Sequence, residues 1–87
     1  MDEYQAAFGQ HIRHIRRRSA VSQEEIAHRA GVHVTYLSGI ERGVRNPSLK
    51  NIRAIAQALG VGVAELFAFE DEGGFIQRLP KEENYHG

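Results

Sequence analysis

The chain has 87 residues, of which 41% are hydrophobic, and it contains no cysteine. This length suits one small domain, and the absence of cysteine excludes disulfides and cysteine-based zinc sites. No apolar run approaches the roughly 20 residues of a membrane-spanning helix, and the polar start MDEYQ is unlike a secretory signal. Composition therefore predicts a soluble, cytoplasmic globular domain.

Charge is unevenly distributed along the chain, although the formal net charge is zero. Residues 1–60 carry nine lysines and arginines against five acidic residues, a balance of +4. Residues 61–87 carry two against six, a balance of −4. This asymmetry indicates a basic body with an acidic tail, and a basic body is compatible with a nucleic-acid partner.

Apolar residues at helical spacing predict the first helix, and a capping box predicts the second. Tyr4, Phe8, Ile12 and Ile15 recur four, four and three residues apart, as one face of a helix over about 4–18. In Ser22-Gln23-Glu24-Glu25 the serine hydroxyl can accept from the backbone N–H three residues on, and the last glutamate can reach back. The second helix therefore covers about 22–29, and a left-handed glycine follows it.

Three further helices complete a predicted all-α fold. His33 is the expected N-cap of a third helix over about 33–42, and Ser48 caps a fourth helix over about 48–59. A short fifth helix covers about 63–69. The acidic, glycine-containing stretch that follows indicates a break, so we expect a domain over 1–69 and a C-terminal tail or dimerisation segment over 70–87.

The second and third helices carry, at seven positions, the residue types that a helix-turn-helix requires. Two steeply crossing helices need a small residue where their backbones approach, which Ala27 supplies. Their turn needs a residue that tolerates positive φ, which Gly31 supplies. The apolar positions that lock the crossing are Ile26, Ala30, Val32, Leu37 and Ile40. Together these positions predict the motif over residues 22–42.

The stretch SQEEIAHRAGVHVTYLSGIERG resembles the helix-turn-helix of the Cro/C1-repressor family, also called the xenobiotic-response-element type. The resemblance covers about residues 8–68, and TYLSGIERGVRNPS is also similar to the controller proteins of restriction–modification systems. It implies a compact five-helix, lambda-repressor-like fold. It also implies a transcriptional regulator, such as a repressor, that binds double-stranded DNA as a homodimer on two half-sites.

In that family the third helix enters the major groove, and its early residues meet base edges. The corresponding positions here are His33, Val34, Thr35, Tyr36, Ser38 and Gly39. The Thr35 hydroxyl and methyl both suit base edges, and Gly39 would leave room for a close approach. Val34 departs from relatives that carry Arg or Gln, so we expect Arg45 to supply a guanine contact. Tyr36 remains open between a phosphate or sugar contact and packing at the core edge.

The resemblance and the placement of polar residues also predict phosphate contacts. The candidates are Gln23, Arg42, Asn46, Lys50 and Arg17. Gln23 opens the second helix, whose N-terminal N–H groups favour an anion. Arg17 belongs to a run of three arginines at a helix end, and such a run is more often a solvated face that favours the helix dipole. Arg16 and Glu41 match an ion pair that, in the family, ties the first helix to the end of the third.

The sequence gives no sign of catalysis or of a bound metal. His11 and His14 lie three residues apart, yet no cysteine or nearby carboxylate completes a familiar ligand set. No motif positions a base beside a serine, and a glycine-rich phosphate loop is missing. We therefore expect no enzyme activity, no metal and no cofactor.

Partners other than DNA are predicted from the fifth helix and the tail. Their apolar residues suggest a homodimer surface formed by Val63, Phe67, Phe69, Phe75 and Ile76. The alternative function is a protein-binding module, such as the antitoxin of a toxin–antitoxin pair, because an acidic tail could fold on a partner. In either case we expect a cytoplasmic protein, associated with the nucleoid if it binds DNA.

Overall fold

A computed structural model describes residues 2–72 and folds them into helices joined by short turns. The helices are α1 (Glu3–Arg18), α2 (Gln23–Ala30), α3 (Val34–Glu41), α4 (Leu49–Leu59), α5 (Val63–Leu66) and α6 (Phe69–Glu72). No strand occurs among the described residues, and the all-α class is confirmed. The first four helices begin and end within one residue of the bounds that the sequence predicts.

The fifth helix differs from its predicted form, because two single turns replace one helix over 63–69. α5 ends at Leu66, and α6 begins at Phe69 after two turn residues. This break lets the Phe69 ring fold back onto α1, where it is only 7% exposed and lies 5.2 Å from the Tyr4 ring centroid. The domain boundary expected after Phe69 therefore falls inside α6.

Serine caps begin α2 and α4. Ser22 Oγ accepts from the Glu25 N–H, and Ser48 Oγ accepts from the Asn51 N–H, each at 3.1 Å. Each bond satisfies a backbone donor that has no partner within its helix. In a full capping box the Glu25 carboxylate would accept from the backbone N–H of Ser22. Here it accepts from Arg29 Nε at 2.8 Å.

The turn of the motif begins at Gly31 and ends at His33. Gly31 adopts φ +73° as the C-cap of α2, the left-handed conformation that glycine takes without strain. His33 is the N-cap of α3 as expected, but among residues 2–72 its side chain forms no capping hydrogen bond. α3 is therefore held mainly by packing, since its cap contributes little.

The core fixes the motif to the other helices. Its fully buried large side chains are Ile12, Ile15, Ile26, Leu37, Ile40, Ile55 and Leu66. They come from α1 through α5, so the two motif helices share one apolar core with the rest of the domain. Burial of each such side chain contributes about 1.5–3 kcal/mol relative to exposure. This packing sets the position of α3.

A close crossing at Gly9 brings α1 against the end of α3. A Cβ atom at Gly9 would lie 2.8 Å from the carbonyl oxygen of Glu41 and closer still to that of Ile40. Only glycine fits such a backbone contact. Beside it, Gln5 Nε2 donates to the carbonyl oxygen of Gly43 at 2.9 Å, so α1 also holds the loop that follows α3.

Candidate nucleic-acid interface

One face of α3 is buried and the opposite face is open. Leu37 and Ile40 are fully buried. Thr35, Ser38 and Arg42 follow one another at spacings of three and four, which places them on one side of the helix. Thr35 and Arg42 are exposed, and Ser38 is half-buried. α3 therefore presents a polar, cationic stripe, and a major groove is wide enough to admit such a helix.

The predicted base-reading residues differ in exposure. His33 and Thr35 are exposed at the start of α3, whereas Val34 is half-buried and packs against the core. Gly39 is buried, and a Cβ placed there would lie 2.5 Å from Arg45 Cγ. The expectation that Gly39 leaves an open approach is wrong, because the stem of Arg45 fills that space.

Tyr36 is held between two neighbours at the edge of the core. Its hydroxyl oxygen accepts from Asn51 Nδ2 on α4 at 3.1 Å. The guanidinium carbon of Arg45 lies 5.9 Å from the ring centroid. The ring is half-buried and packs against the core. Of the two interpretations left open by the sequence, the structure favours packing.

Arg16, Glu41 and Gln23 form a hydrogen-bond network beneath the motif. Arg16 Nε and Nη2 donate to the two carboxylate oxygens of Glu41 at 2.7 and 3.0 Å. Gln23 Nε2 donates to the same carboxylate at 2.9 Å, and Arg16 Nη1 donates to the carbonyl oxygen of Val21 at 2.9 Å. Hydrogen bonding to Glu41 raises the pKa of Arg16 above its ordinary value, although burial opposes the shift. The network joins the ends of α1 and α3 to the start of α2.

Gln23 thus has a contact that its sequence position does not suggest. A carboxamide has two N–H donors and one acceptor oxygen. One donor binds Glu41, which fixes the side chain at the start of α2. Its remaining hydrogen-bonding capacity is compatible with a phosphate contact at the helix N-terminus, where backbone N–H groups also favour an anion.

The other phosphate candidates are exposed in two places. Arg42 is the C-cap of α3, Asn46 lies in the following loop, and Lys50 lies in the first turn of α4. These three side chains flank the connection from α3 to α4. Arg17 lies apart from them, in the last turn of α1.

His11 on α1 has a structural contact. His11 is buried, and its Nε2 donates to the carbonyl oxygen of Glu65 at 2.9 Å, while its ring stacks on His14 with centroids 6.4 Å apart. Within residues 2–72, no group of three or more His, Cys, Asp or Glu side chains is placed to hold a metal ion. The same part of the chain has no helix of the length and apolarity needed to cross a membrane.

Known proteins are similar to this chain in sequence and in fold. A family model described as helix-turn-helix matches residues 12–66. The control protein C.BamHI of Bacillus amyloliquefaciens is 47% identical over 72 residues, which make up 82% of this chain and 89% of that protein. The chain belongs to the helix-turn-helix family of DNA-binding transcriptional regulators. Residues 22–42 are the motif of that family.

Two solved structures of controller proteins have the same fold. C.AhdI from Aeromonas hydrophila is similar at 43% identity with a TM-score of 0.72, over 72% of this chain and 96% of that one. A chain of C.Esp1396I, solved as a tetramer in complex with its natural 35-base-pair operator, is similar at 28% identity with a TM-score of 0.76. The match covers 83% of this chain and 95% of that one. The resemblance to restriction–modification controller proteins is confirmed.

Proposed function

We propose that this chain is a sequence-specific transcriptional regulator of the controller type, which binds double-stranded DNA as a homodimer with α3 in the major groove. The observation that carries the proposal is the polar stripe of Thr35, Ser38 and Arg42, the first and last of them exposed, on a helix whose inner side is joined to α1. C.Esp1396I, whose tetramer binds an operator, supports it. The control proteins named above favour this function over that of an antitoxin.

Base reading and phosphate binding belong to different residues in this proposal. Thr35 and His33 are exposed at the start of α3, where a helix in the major groove meets base edges. Gln23, Arg42, Asn46, Lys50 and Arg17 contact the phosphate backbone and set the orientation of the domain on DNA. Their exposure, or for Gln23 its place at a helix N-terminus, supports this division.

Selection of bound sequences from a random DNA pool tests the function. We expect one motif built of two related half-sites, whose centres lie about one helical turn or a multiple of it apart. Affinity for the selected site should fall steeply with salt, because phosphate contacts release counterions. A pool that stays unselected, together with no binding to any DNA at low salt, would reject the proposal.

The homodimer surface in this proposal is formed by α4 and α5. Leu49 is 80% exposed and Val63 is 38% exposed, and both line one depression with Lys50 and Arg53. Two apolar side chains exposed side by side favour a partner surface, and a second copy would cover them in a two-fold dimer. These observations support a proposed interface at the starts of α4 and α5.

The structure corrects the set of dimer residues expected from the sequence. Phe69 is buried against α1 within its own chain, so it is not available to a partner. Phe67 is half-buried, and its ring centroid lies 4.8 Å from that of Phe8. Only part of its side chain can therefore contact a partner. Phe75 and Ile76 lie outside the described residues. Val63 stays in the proposed dimer surface.

Light scattering at several protein concentrations tests the dimer. We expect a dimer for the unmodified protein and a monomer for Leu49→Asp combined with Val63→Asp, because the apolar contact would be lost and the carboxylates would have to lose their hydration. Val44→Ser is the control, since Val44 is 51% exposed but does not line the depression. A monomeric unmodified protein, or a double variant that remains dimeric, would contradict this interface.

A protein with this role acts in the cytoplasm, on the nucleoid, and needs no catalytic activity.

A further inference from the structure

We propose that Arg45 is positioned for base recognition by three residues, Gly39, Tyr36 and Asn51, which we call the Arg45 seat. In this proposal Tyr36 contributes to sequence specificity through Arg45 and does not itself read a base. The inference rests on the proposed function, because it specifies how one contact of that site is prepared. It also accounts for the burial of Gly39.

The loop after α3 folds back onto the helix at Gly39. Gly43 adopts φ +81°, which reverses the chain direction at the end of α3. The carbonyl oxygen of Gly39 then accepts from the backbone N–H groups of Val44 at 2.9 Å and Arg45 at 3.2 Å. Gln5 of α1 holds the same loop through the carbonyl oxygen of Gly43. The backbone of Arg45 is therefore fixed from both sides.

The side chain of Arg45 lies along α3 because position 39 has no Cβ. An added Cβ would lie 2.5 Å from Arg45 Cγ and 3.4 Å from Arg45 Cβ, so the side chain of Arg45 would have to leave this position by a change of its χ1 rotamer. From this position the guanidinium carbon lies 5.9 Å from the centroid of the Tyr36 ring, within the range of a cation–π attraction. Arg45 nevertheless remains exposed.

The Tyr36 ring is itself held in place from α4. Asn51 Nδ2 donates to the Tyr36 hydroxyl at 3.1 Å, and the backbone N–H of Asn51 donates to the Ser48 cap at 3.1 Å. The ring also packs against the core. A ring held by its hydroxyl and by the core offers a fixed surface for the guanidinium, which is why we assign Tyr36 a positioning role.

A positioned arginine recognises a base pair at a lower entropic cost than a free one. Arginine loses much rotamer freedom when it becomes ordered, and this loss weakens binding only if it occurs during binding. The guanidinium carries a rigid fork of donors that matches O6 and N7 of guanine. The seat therefore supplies the guanine contact that Val34 cannot make on α3.

Binding to every single-base variant of the selected operator tests the Arg45 seat. Arg45→Ala should lower discrimination at one G·C pair in each half-site by about tenfold. Tyr36→Leu, which keeps an apolar side chain but removes the aromatic face, should lower it at the same pair by about two- to fivefold. Tyr36→Phe, which keeps the aromatic face but loses the hydrogen bond from Asn51, should lower it less than Tyr36→Leu does. Gly39→Ala should lower it as well, because the stem of Arg45 is displaced.

The effects of Arg45→Ala and Tyr36→Leu on base discrimination should be coupled. In the Arg45→Ala background, Tyr36→Leu should cause no further loss at that base pair, whereas a structural role of Tyr36 would lower affinity for all sequences in both backgrounds. Arg13→Ala is the charge control, because Arg13 is exposed on α1 and has no assigned contact. It should leave the base preference unchanged.

Two outcomes would overturn the inference while the proposed function stands. One is an Arg45→Ala protein that selects the same operator with the same preference at every base pair. The other is a Tyr36→Leu effect that is equal in the presence and absence of Arg45. A protein that selects no operator at all would instead reject the proposed function, so the two failures are distinguishable.

Discussion

Arg16 and Glu41 form a bidentate ion pair that joins the end of α1 to the end of α3, with N···O distances of 2.7 and 3.0 Å. The Glu41 side chain is 2% exposed and that of Arg16 is 11% exposed. Gln23 adds a third donor to the carboxylate. Since each residue lies on a different element, the pair helps to set the angle at which α3 leaves the domain. It links the stability of the fold to the presentation of the DNA-binding surface.

Glu41→Gln should destabilise the protein by about 3 kcal/mol, because it leaves the buried Arg16 charge without a counter-charge. Urea unfolding followed by circular dichroism measures the change in the free energy of unfolding. Glu25→Gln is the matched control. Glu25 also pairs with an arginine at 2.8 Å, but both side chains are about half exposed, 48% and 49%. An exposed pair of this kind contributes less than about 1 kcal/mol. Equal losses in the two variants would show that burial of the Arg16–Glu41 pair is unimportant.

Gly9→Ala should also destabilise the protein, by about 2 kcal/mol or more. Alanine normally favours a helix over glycine by about 1 kcal/mol, so intrinsic propensity predicts the opposite sign. The added methyl would meet the carbonyl oxygens of Ile40 and Glu41, which are backbone atoms and cannot move alone. Gly62→Ala is the control, since a Cβ there would have no neighbour within 4 Å, and as an N-cap change it should cost less than about 1 kcal/mol. A Gly9→Ala protein as stable as the unmodified one would contradict this close crossing.

The local part of the fold could be predicted from sequence because it depends on neighbours along the chain. Ser22, Gly31 and Ser48 act as caps and turn residues through bonds to positions three or four residues away. The apolar spacing of α1 and α4 likewise needs no knowledge of the partner helix. Such features are encoded in short windows of sequence, so the helices of the motif were predicted closely.

Features that depend on contacts between distant elements could not be predicted in this way. Nothing in the α1 sequence indicates that Gly9 faces the end of α3, and Gln5 gives no signal of its bond to the Gly43 carbonyl, 38 residues away. Phe69 belongs to an apolar pattern that continues α5, yet its ring is buried only because the helix breaks. The contact of Arg45 with Tyr36 likewise requires the folded loop.

A hydrogen bond between Tyr4 and Glu70 should make stability depend on pH above pH 10. The Tyr4 hydroxyl donates to a carboxylate oxygen of Glu70 at 2.6 Å. Burial, with smaller contributions from the hydrogen bond and the charge of Glu70, raises the pKa of Tyr4 from 10.0 to about 12. Because the raised pKa favours the protonated phenol in the folded state, its contribution is fully present below pH 10 and is lost between pH 10 and about 12.

The difference in unfolding free energy between the unmodified protein and Tyr4→Phe isolates this contribution. Urea unfolding at several values from pH 8 to pH 12 should show that the difference decreases above pH 10, since phenylalanine has no proton to lose. Other groups titrate in both proteins and cancel in the comparison. A difference that is constant over this range would show that the folded protein does not shift the pKa of Tyr4.

Thr35→Ala and Lys50→Ala should separate base reading from phosphate binding. Thr35 is exposed on the polar stripe of α3, so its loss should weaken the selected site by about 1–3 kcal/mol and relax the preference at one base pair. Lys50 is exposed in the first turn of α4, so its loss should weaken all sequences similarly and reduce the salt slope by about one. Titration of specific and random DNA at several salt concentrations measures both effects. If the Thr35 variant weakens random and specific DNA equally, Thr35 contacts the backbone, and base recognition by α3 must come from other side chains.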